Sequence, residues 1–313
     1  MLRKSGARAP SRSTNGRVGF HSVGRCYHAA MKSVLVTGAG SGIGLAIARR
    51  LGEAGLRVYA GVHRTSGALG PGIREVVLDV TNAESIAAAR RELEGQLGDD
   101  GLFALVNNAG IGDLEPFEFT PMEHFRQVFD VNVFGTVATT QTFLPLLHRG
   151  RGRIVNIGSV GGMITIPFGS ALTASKHAIE SISDALRLEL YAAGIHVTCI
   201  QPASINSGSA EKIAEKTEET IAALPPDGQR RYGEPLRAFT KTMLESETGG
   251  SPPEVVAEAV LSVLQEKEPP ARKLVGKGGH LLKLLARDVP DTMRDALLRK
   301  HFLGDPGFGS QSG

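Results

Sequence analysis

The sequence predicts an α/β fold in which one doubly wound parallel sheet carries helices on both faces, within a single domain. Short runs of β-branched residues and leucine alternate along the chain with segments of helical periodicity. A glycine-rich turn follows the first of these runs and opens the first helix. Glycine, proline or polar residues close the predicted strands, at the ends where such sheets bind ligands.

The first predicted strand, Ser33 to Val36, leads into the turn at 37–44, Thr-Gly-Ala-Gly-Ser-Gly-Ile-Gly. We expect Gly38 to make the tight turn, Gly42 to let the backbone approach a diphosphate, and Gly44 to let the following helix pack on the strand. N–H groups at the N-terminus of that helix favour an anion. A plain loop also fits the turn, but its place between strand and helix favours a dinucleotide site in a Rossmann fold.

The second predicted strand, Arg57 to Val62, determines which dinucleotide is expected. An acidic residue at its end would bind the ribose 2′-hydroxyl of NAD and repel the 2′-phosphate of NADP. Val62 stands there instead, followed by His63 and Arg64. This favours NADP(H) over NAD(H), although a merely solvated Arg64 is the alternative interpretation.

The later elements continue the alternation. Strands are predicted at Glu75 to Leu78, Leu102 to Val106, Arg153 to Ile157, Ile195 to Ile200 and Arg272 to Val275, with helices from Asn82, from Pro121, at Asp130 to Leu147, at Ala171 to Ala193 and at Pro252 to Lys267. The strand ends therefore bring together Gly38, Asp79, Asn107, Ser159 and Pro202. The polar insertion at about 207–250 carries only weak helical stretches and is a candidate lid. Leucines at helical spacing in 281–303 predict a tail that packs in the core, or else against a neighbouring subunit.

Residues 1–30 contain six Lys and Arg residues and no Asp or Glu, without the apolar run of a secretory signal. They fit either a mitochondrial transit peptide or an extension upstream of a start at Met31. The lack of a clear amphipathic helix favours the second interpretation and a cytoplasmic protein. In both cases we predict that residues 1–30 are disordered and that residues 31–313 form the NAD(P)-binding domain.

The basic N-terminal segment accounts for the formal net charge of +3, since the remaining chain is mildly acidic. We therefore expect no nucleic-acid partner. No apolar run is long enough to span a bilayer, and the two cysteines, Cys26 and Cys199, do not make a disulfide framework. No metal site is predicted.

These motifs resemble, in order and spacing, those of the classical short-chain dehydrogenases/reductases. The sequence that flanks them resembles the branch of retinol- and 17β-hydroxysteroid-dehydrogenase-like members. The resemblance rests on Thr37-Gly38-x-x-x-Gly42-x-Gly44, Asp79, Asn107-Asn108-Ala109-Gly110, Asn132, Ser159 and Lys176. It implies cofactor contacts from Gly38, Ser41, Gly42, Ile43, Gly44, His63, Arg64, Asp79, Val80, Asn107, Ala109, Gly110, Lys176, Pro202, Ile205 and Ser207. Within that set Asp79 would contact adenine and Asn107 would close the pocket.

The resemblance also implies the catalytic roles. Ser159 would hydrogen-bond the substrate oxygen, Asn132 would order a water in a proton relay, and Lys176 would bind the nicotinamide ribose. In the family, Lys176 would also lower the pKa of a tyrosine four residues earlier, which is the general acid/base. Here that position is Leu172.

Leu172 has no ionisable group, hydroxyl or lone pair, so it cannot exchange a proton with the substrate. Thr173 and His177 point off the Lys176 face, Ser170 is near the helix start and Tyr191 is several turns away. Ser159 with a water bound to Lys176 is the least strained replacement. The chain is then an oxidoreductase with a rewired proton path, a cofactor-binding protein that has lost catalysis, or a family member altered at this position.

The resemblance finally implies a small-molecule alcohol or carbonyl substrate that is lipophilic, held by Gly161 to Phe168 and by the 207–250 insertion. It also implies a homo-oligomer, a dimer or tetramer, that pairs through the helices near residues 130–148 and 171–193.

Overall fold

The computed structural model describes residues 31–304, except residues 68, 71, 207 and 209. Predictions for residues 1–30 and for Ser207 therefore lie outside the described residues. The described residues from Met31 to Gly304 belong to one compact unit, as the single-domain prediction requires.

A seven-stranded sheet forms the centre of the molecule. Its strands are β1 (Ser33–Val36), β2 (Arg57–Val62), β3 (Ile73–Val77), β4 (Ala104–Asn107), β5 (Arg153–Ile157), β6 (His196–Pro202) and β7 (Arg272–Val275). They pair in parallel in the order β3-β2-β1-β4-β5-β6-β7. Because the chain starts in the middle and turns back between β1 and β4, the switch point lies above these two strands, where open α/β sheets bind ligands.

Ten α-helices accompany the sheet in the described part of the chain. They are α1 (Gly42–Glu53), α2 (Ala83–Leu97), α3 (Met122–Phe129), α4 (Thr136–Gly150), α5 (Ser170–Glu189), α6 (Ala210–Ala223), α7 (Pro226–Thr248), α8 (Glu254–Gln265), α9 (Gly279–Asp288) and α10 (Asp291–Leu303). Asn82 caps α2 as predicted, since its side-chain oxygen accepts from Ser85 N at 3.0 Å. A π-helical turn, Asp130–Gly135, joins α3 to α4.

Alternation along the strands divides the core into two layers. On β1, Val34 and Val36 face the layer that contains α1 and α8, whereas Leu35 faces the layer that contains α2 and α4. Successive strand side chains point to opposite faces, so an all-apolar strand requires helices on both sides. This confirms the doubly wound arrangement.

Two segments differ from the sequence-based expectation. The 207–250 insertion contains two long helices, α6 and α7, where only weak helical stretches were expected. The prediction that the tail leucines pack in the core is wrong for Leu281, Leu284 and Leu297, which are exposed on α9 and α10. Within residues 31–304 as described, no helix is both long enough and apolar enough to cross a membrane.

Candidate active site

The glycine-rich turn between β1 and α1 depends on glycine at three positions. Gly38 and Gly42 have positive φ angles of +63° and +51°, which L side chains rarely adopt. A Cβ atom on Gly38 would lie 2.8 Å from Ala109 Cα, and one on Gly44 would collide with Gly38 O. Around Gly42 the space is open. The turn therefore packs tightly below and leaves its upper face accessible.

That upper face carries the start of α1. Ser41 is the N-cap and makes no side-chain capping bond, so the first N–H groups of the helix are available to an anion. These groups belong to Gly42, Ile43 and Gly44. Together with the open face of the turn, they fit the diphosphate of a dinucleotide.

Hydrogen bonds of the side chains of Thr37 and Asn108 join this turn to the chain that follows β4. The sequence analysis had given these two residues no role. Thr37 Oγ1 accepts from Asn108 N and from Ala109 N, each at 3.0 Å. Asn108 Nδ2 donates to Thr37 O and Gly38 O at 3.0 and 3.2 Å. Both residues belong to the motifs quoted above. Their positions next to the motif glycines were the feature of the sequence that could have indicated a structural role.

The adenosine end of the candidate site contains Asp79, which follows β3. Asp79 Oδ1 accepts from Thr81 Oγ1 at 2.7 Å and from Thr81 N at 2.9 Å. These bonds, with a smaller contribution from nearby His63, lower the pKa of the Asp79 carboxyl. Asp79 Oδ2 has no hydrogen bond to a described residue and can accept one from an adenine amino group. His63 and Arg64 are exposed at the end of β2, and Val80 is buried against Gly135.

Asn107 lies deeper than its expected role suggests. Its side chain is buried, and Nδ2 donates to Asn156 Oδ1 at 2.9 Å and to Thr140 Oγ1 at 3.0 Å. The amide nitrogen is thus used inside the core between β4, β5 and α4, whereas Asn107 Oδ1 is buried without a hydrogen-bond partner among the described residues. The cofactor role of Asn107 stays a prediction. Ala109 and Gly110 instead lie beside the glycine-rich turn and beside Asn132.

Asn132 lies on the π-helical turn, a local geometry that often occurs at functional sites. Its side chain donates to Ile111 O and accepts from Ile111 N, both at 2.8 Å. Nδ2 also donates to Ser175 Oγ at 2.9 Å, and Ser175 donates in turn to Leu172 O at 2.7 Å. Asn132 therefore joins the loop after β4 to the first turns of α5.

Ser159 and Lys176 face the same strand end. Ser159 Oγ accepts from Gly161 N at 3.0 Å, and it donates to no described residue, so its hydrogen remains available for a substrate oxygen. Lys176 Nζ donates to Ile157 O at 3.0 Å. Burial lowers the pKa of Lys176, and the neighbouring Cys199 thiol opposes this effect.

Leu172 occupies the position one turn before Lys176 on α5. A Cβ atom added to Gly112 would lie 2.8 Å from Leu172 Cδ1, so the leucine side chain covers Gly112 in the loop after β4. Three of the weighed replacements, Thr173, His177 and Tyr191, are no better placed. Thr173 donates to Gly169 O at 2.8 Å inside the helix, His177 is exposed, and Tyr191 lies beyond the C-terminal end of α5.

Below Ser159 and Lys176 lies an ionic network around the buried Glu180 that sequence reasoning missed. Glu180 Oε1 accepts from Gln201 Nε2 at 2.9 Å, and Glu180 Oε2 accepts from Arg272 Nε at 2.8 Å. Arg272 Nη2 also donates to Asp184 Oδ2 at 2.6 Å. The network ties α5 to β6 and β7, and hence the Lys176 helix to the strand that ends at Pro202.

Beyond Pro202 the chain continues past the carboxyl end of β6. Ile205 is buried and forms a parallel bridge with Ser251. Helices α6 and α7 attach to the loop after β4 through ion pairs between Lys216 and Asp113 and between Arg231 and Glu118. No group of three or more His, Cys, Asp or Glu side chains in the described ranges is placed to hold a metal ion.

A comparison with protein families matches residues 32–218 to the short chain dehydrogenase model. The chain belongs to the short-chain dehydrogenase/reductase family. Human dehydrogenase/reductase SDR family member 9 is 32% identical over 286 residues, which cover 86% of this chain and 88% of the relative. Mouse estradiol 17-beta-dehydrogenase 2 is 33% identical over 292 residues, covering 88% of this chain and 76% of the relative. The predicted family and its 17β-hydroxysteroid-dehydrogenase-like branch are confirmed.

Solved structures of short-chain dehydrogenases agree with the fold. The crystal structure of a short chain dehydrogenase from Burkholderia cenocepacia in complex with NADP superimposes with a TM-score of 0.63 and 26% identity, covering 86% of this chain and 97% of the other. This short-chain dehydrogenase thus retains the NAD(P)-binding fold and carries Leu172 where the family's motif has tyrosine.

Proposed function

We propose that this protein is an NADP(H)-dependent oxidoreductase that exchanges a hydride with the alcohol or carbonyl carbon of a lipophilic substrate, through an altered proton path. The observation that carries the proposal is the convergence of the glycine-rich turn, Ser159 and Lys176 at the carboxyl edge of one sheet. A diphosphate site and a hydrogen-bond donor for a substrate oxygen thereby lie on the same face of the molecule.

Different residues of this chain would bind different parts of the cofactor and the substrate. The turn and the N-terminus of α1 would hold the diphosphate, Asp79 the adenine, and Lys176 the nicotinamide ribose. The nicotinamide supplies or accepts the hydride when the cofactor is bound. Ser159 would donate its free hydrogen to the substrate oxygen and orient the reacting carbon.

The proton must reach the substrate oxygen without a tyrosine. We propose that Ser159 passes its hydrogen to the oxygen and is reprotonated through water bound at Lys176. Burial favours the neutral amine, so Lys176 releases a proton more readily than an exposed lysine would. Since positioned acid/base groups contribute about 10²- to 10⁴-fold in rate, turnover should be slow but measurable.

The preference for NADP(H) over NAD(H) rests on the end of β2. No acid stands there to repel a 2′-phosphate, and the exposed His63 and Arg64 supply positive charge. Replacing Arg64 with Ala should weaken NADPH binding about tenfold and leave NADH binding unchanged, since a single charge-assisted bond to phosphate is lost. Equal loss for both cofactors would contradict the preference.

We assign the lipophilic substrate to the space beside Leu172, under α6 and α7. Phe168 contacts Tyr232 and Phe239 of α7, with ring centroids 6.5 and 5.6 Å apart. These aromatic contacts support the role of the 207–250 insertion as a lid over 161–168.

The deciding experiment pairs the natural chain with Leu172→Tyr. NADPH binding is followed by cofactor fluorescence, and NADPH consumption is followed with a panel of aldehydes and ketones. We expect both proteins to bind and the natural chain to turn over slowly. Binding without any turnover in the natural chain, restored in Leu172→Tyr, would instead identify a cofactor binder that has lost its acid/base. Failure of both to bind would reject the cofactor site.

We also propose a homo-oligomer that pairs through α4 and α5. Leu188 is 70% exposed on α5, and Tyr191, just beyond it, is 84% exposed; buried together, they would form the apolar centre of an interface. Light scattering of Leu188→Glu should show a shift to monomer, whereas an unchanged mass would exclude this face.

We propose a cytoplasmic location, with import into mitochondria as the alternative. A fluorescent protein fused to residues 1–30 should then remain in the cytoplasm. Import of the fusion into mitochondria would establish the transit-peptide alternative.

A further inference from the structure

The outward face of α9 combines apolar and cationic side chains. Leu281 is 61% exposed and Leu284 is 51% exposed, and their spacing of three residues puts both on one side of the helix. Lys283 and Arg287 are exposed one turn apart beside them. Neither cation forms an ion pair with any residue of the described chain. The inner side of α9 is fixed, because Gly279 packs on Leu274 and Ala203.

Charge is distributed unevenly between this tail and the rest of the domain. Residues 277–304 contain six Lys and Arg and three Asp. Residues 31–276 contain 23 Lys and Arg and 28 Asp and Glu. Helix α10 continues the pattern, with Met293 and Leu297 exposed on one side and Arg299 and Lys300 close by. A positive, apolar tail therefore protrudes from an acidic body.

The tail borders the candidate active site. Helix α9 begins beside Ala203, which follows the strand end at Pro202, and it lies against the turn 160–162 next to Ser159. Helix α10 ends on α7, where the rings of Phe302 and Phe239 are 5.1 Å apart. The tail thus connects the segment that follows Pro202 with helix α7 of the lid.

We propose that α9 is a docking surface for an anionic membrane. Leucines on one side of a helix with Lys and Arg beside them are the pattern of helices that lie in the lipid headgroup region. Anionic headgroups complement the cations that have no ion pair. This inference goes beyond the proposed function. Docking of the tail would bring the candidate active site close to the lipid bilayer, in which a lipophilic substrate dissolves.

Charge favours lipid over a second copy of the chain. A second copy presents the same positive tail, which repels it, or the acidic body, whose exposed Leu188 and Tyr191 are assigned above to the pairing through α4 and α5. A lipid surface satisfies both the leucines and the cations. A second copy remains a defined outcome of the test.

The experiment is co-sedimentation of the full chain with phosphatidylcholine vesicles, with and without roughly one quarter phosphatidylserine. We expect binding to the phosphatidylserine vesicles that weakens as salt is raised. Leu281→Glu with Leu284→Glu should reduce the partition coefficient about tenfold or more. Lys283→Gln with Arg287→Gln should reduce it about tenfold on the anionic vesicles.

The control is Val77→Glu with Met122→Glu, which changes net charge equally at two exposed apolar residues on β3 and α3. Residues 1–30 are basic too, but they are identical in all variants, so only the difference between variants is interpreted. The control should bind within about twofold of the natural chain. The proposal is overturned if the natural chain does not bind anionic vesicles, if the α9 variants bind as the control does, or if they change only the oligomeric state in light scattering. None of these readouts requires turnover or cofactor.

Discussion

Leu172 and Gly112 are in direct contact: the leucine side chain of α5 covers the glycine of the loop after β4, so that a Cβ on Gly112 would lie 2.8 Å from Leu172 Cδ1. Because Gly112 has no Cβ atom, the side chain at position 172 can pass over this loop. The supporting contacts remain, because Asn132 still bonds Ser175, and Ser175 still bonds Leu172 O.

Replacing Leu172 with Tyr should therefore raise carbonyl reduction by about 10²- to 10⁴-fold, since the retained scaffold would orient a phenol near Lys176. The measurement is kcat/KM with NADPH and an aldehyde that the natural chain accepts. Leu172→Phe is the matched control, because it adds the ring without the hydroxyl and should not raise the rate. Equal gains in Tyr and Phe variants would show that ring size, rather than proton transfer, limits turnover.

Replacing Gly44 with Ala should abolish NADPH binding or prevent folding, because the new Cβ would collide with Gly38 O, a backbone atom that cannot move without breaking the turn. Isothermal titration with NADPH and circular dichroism together distinguish the two. Gly95→Ala on α2 is the control: its Cβ meets nothing within 4 Å, and the change should leave binding intact and add up to about 1 kcal/mol to stability. Normal NADPH affinity in Gly44→Ala would refute the packing role.

Replacing Arg272 with Met should lower the free energy of unfolding by about 3 kcal/mol, because the buried Glu180 carboxylate loses its cationic partner. Chemical denaturation measures the loss. Adding Glu180→Gln to this variant should recover part of it, since no uncompensated buried charge is then left. A double variant less stable than Arg272→Met would show that the two residues act independently.

Acid should weaken the same network through Asp184. Its pKa is lowered chiefly by the hydrogen bond from Arg272, so the folded state binds the proton less readily than the unfolded chain does. The stabilisation is present above the unfolded pKa of about 4 and is lost as pH falls through the folded pKa. Between about pH 5 and pH 3, the natural chain should lose more stability than Asp184→Asn does. Parallel curves would contradict this assignment.

The sequence predicted the positions of strands and helices where the pattern of neighbouring residues allowed one interpretation. The apolar runs at β1, β2, β5 and β7 and the Asn82 cap of α2 lie where predicted, because strand periodicity and capping are set by neighbouring residues. The lid helices α6 and α7 were harder to predict, since their composition is polar and their stability depends on contacts such as Arg231 with Glu118.

The sequence predicted those residues of the candidate site that belong to contiguous motifs. Gly38 and Gly44 were identified that way, and Ser159 and Lys176 were identified through the family resemblance. Glu180, Arg272 and Gly112 were not, because their roles depend on partners that lie far along the chain, 92 residues in the case of Arg272 and Glu180. The cofactor role assigned to Asn107 stays a prediction; the structure adds that its side-chain nitrogen is bonded within the core.

By itself the sequence determined the doubly wound fold and the glycine turn, because each follows from residue type and short-range spacing. That Leu172 stands at the position of a general acid/base is what the family resemblance implies. Only the tertiary structure decided that Leu172 covers Gly112, that an ionic network lies beneath Lys176, and that the tail leucines are exposed. These depend on which surfaces meet when the sheet closes, and a helical pattern of leucines is the same whether its face meets a core or is left open.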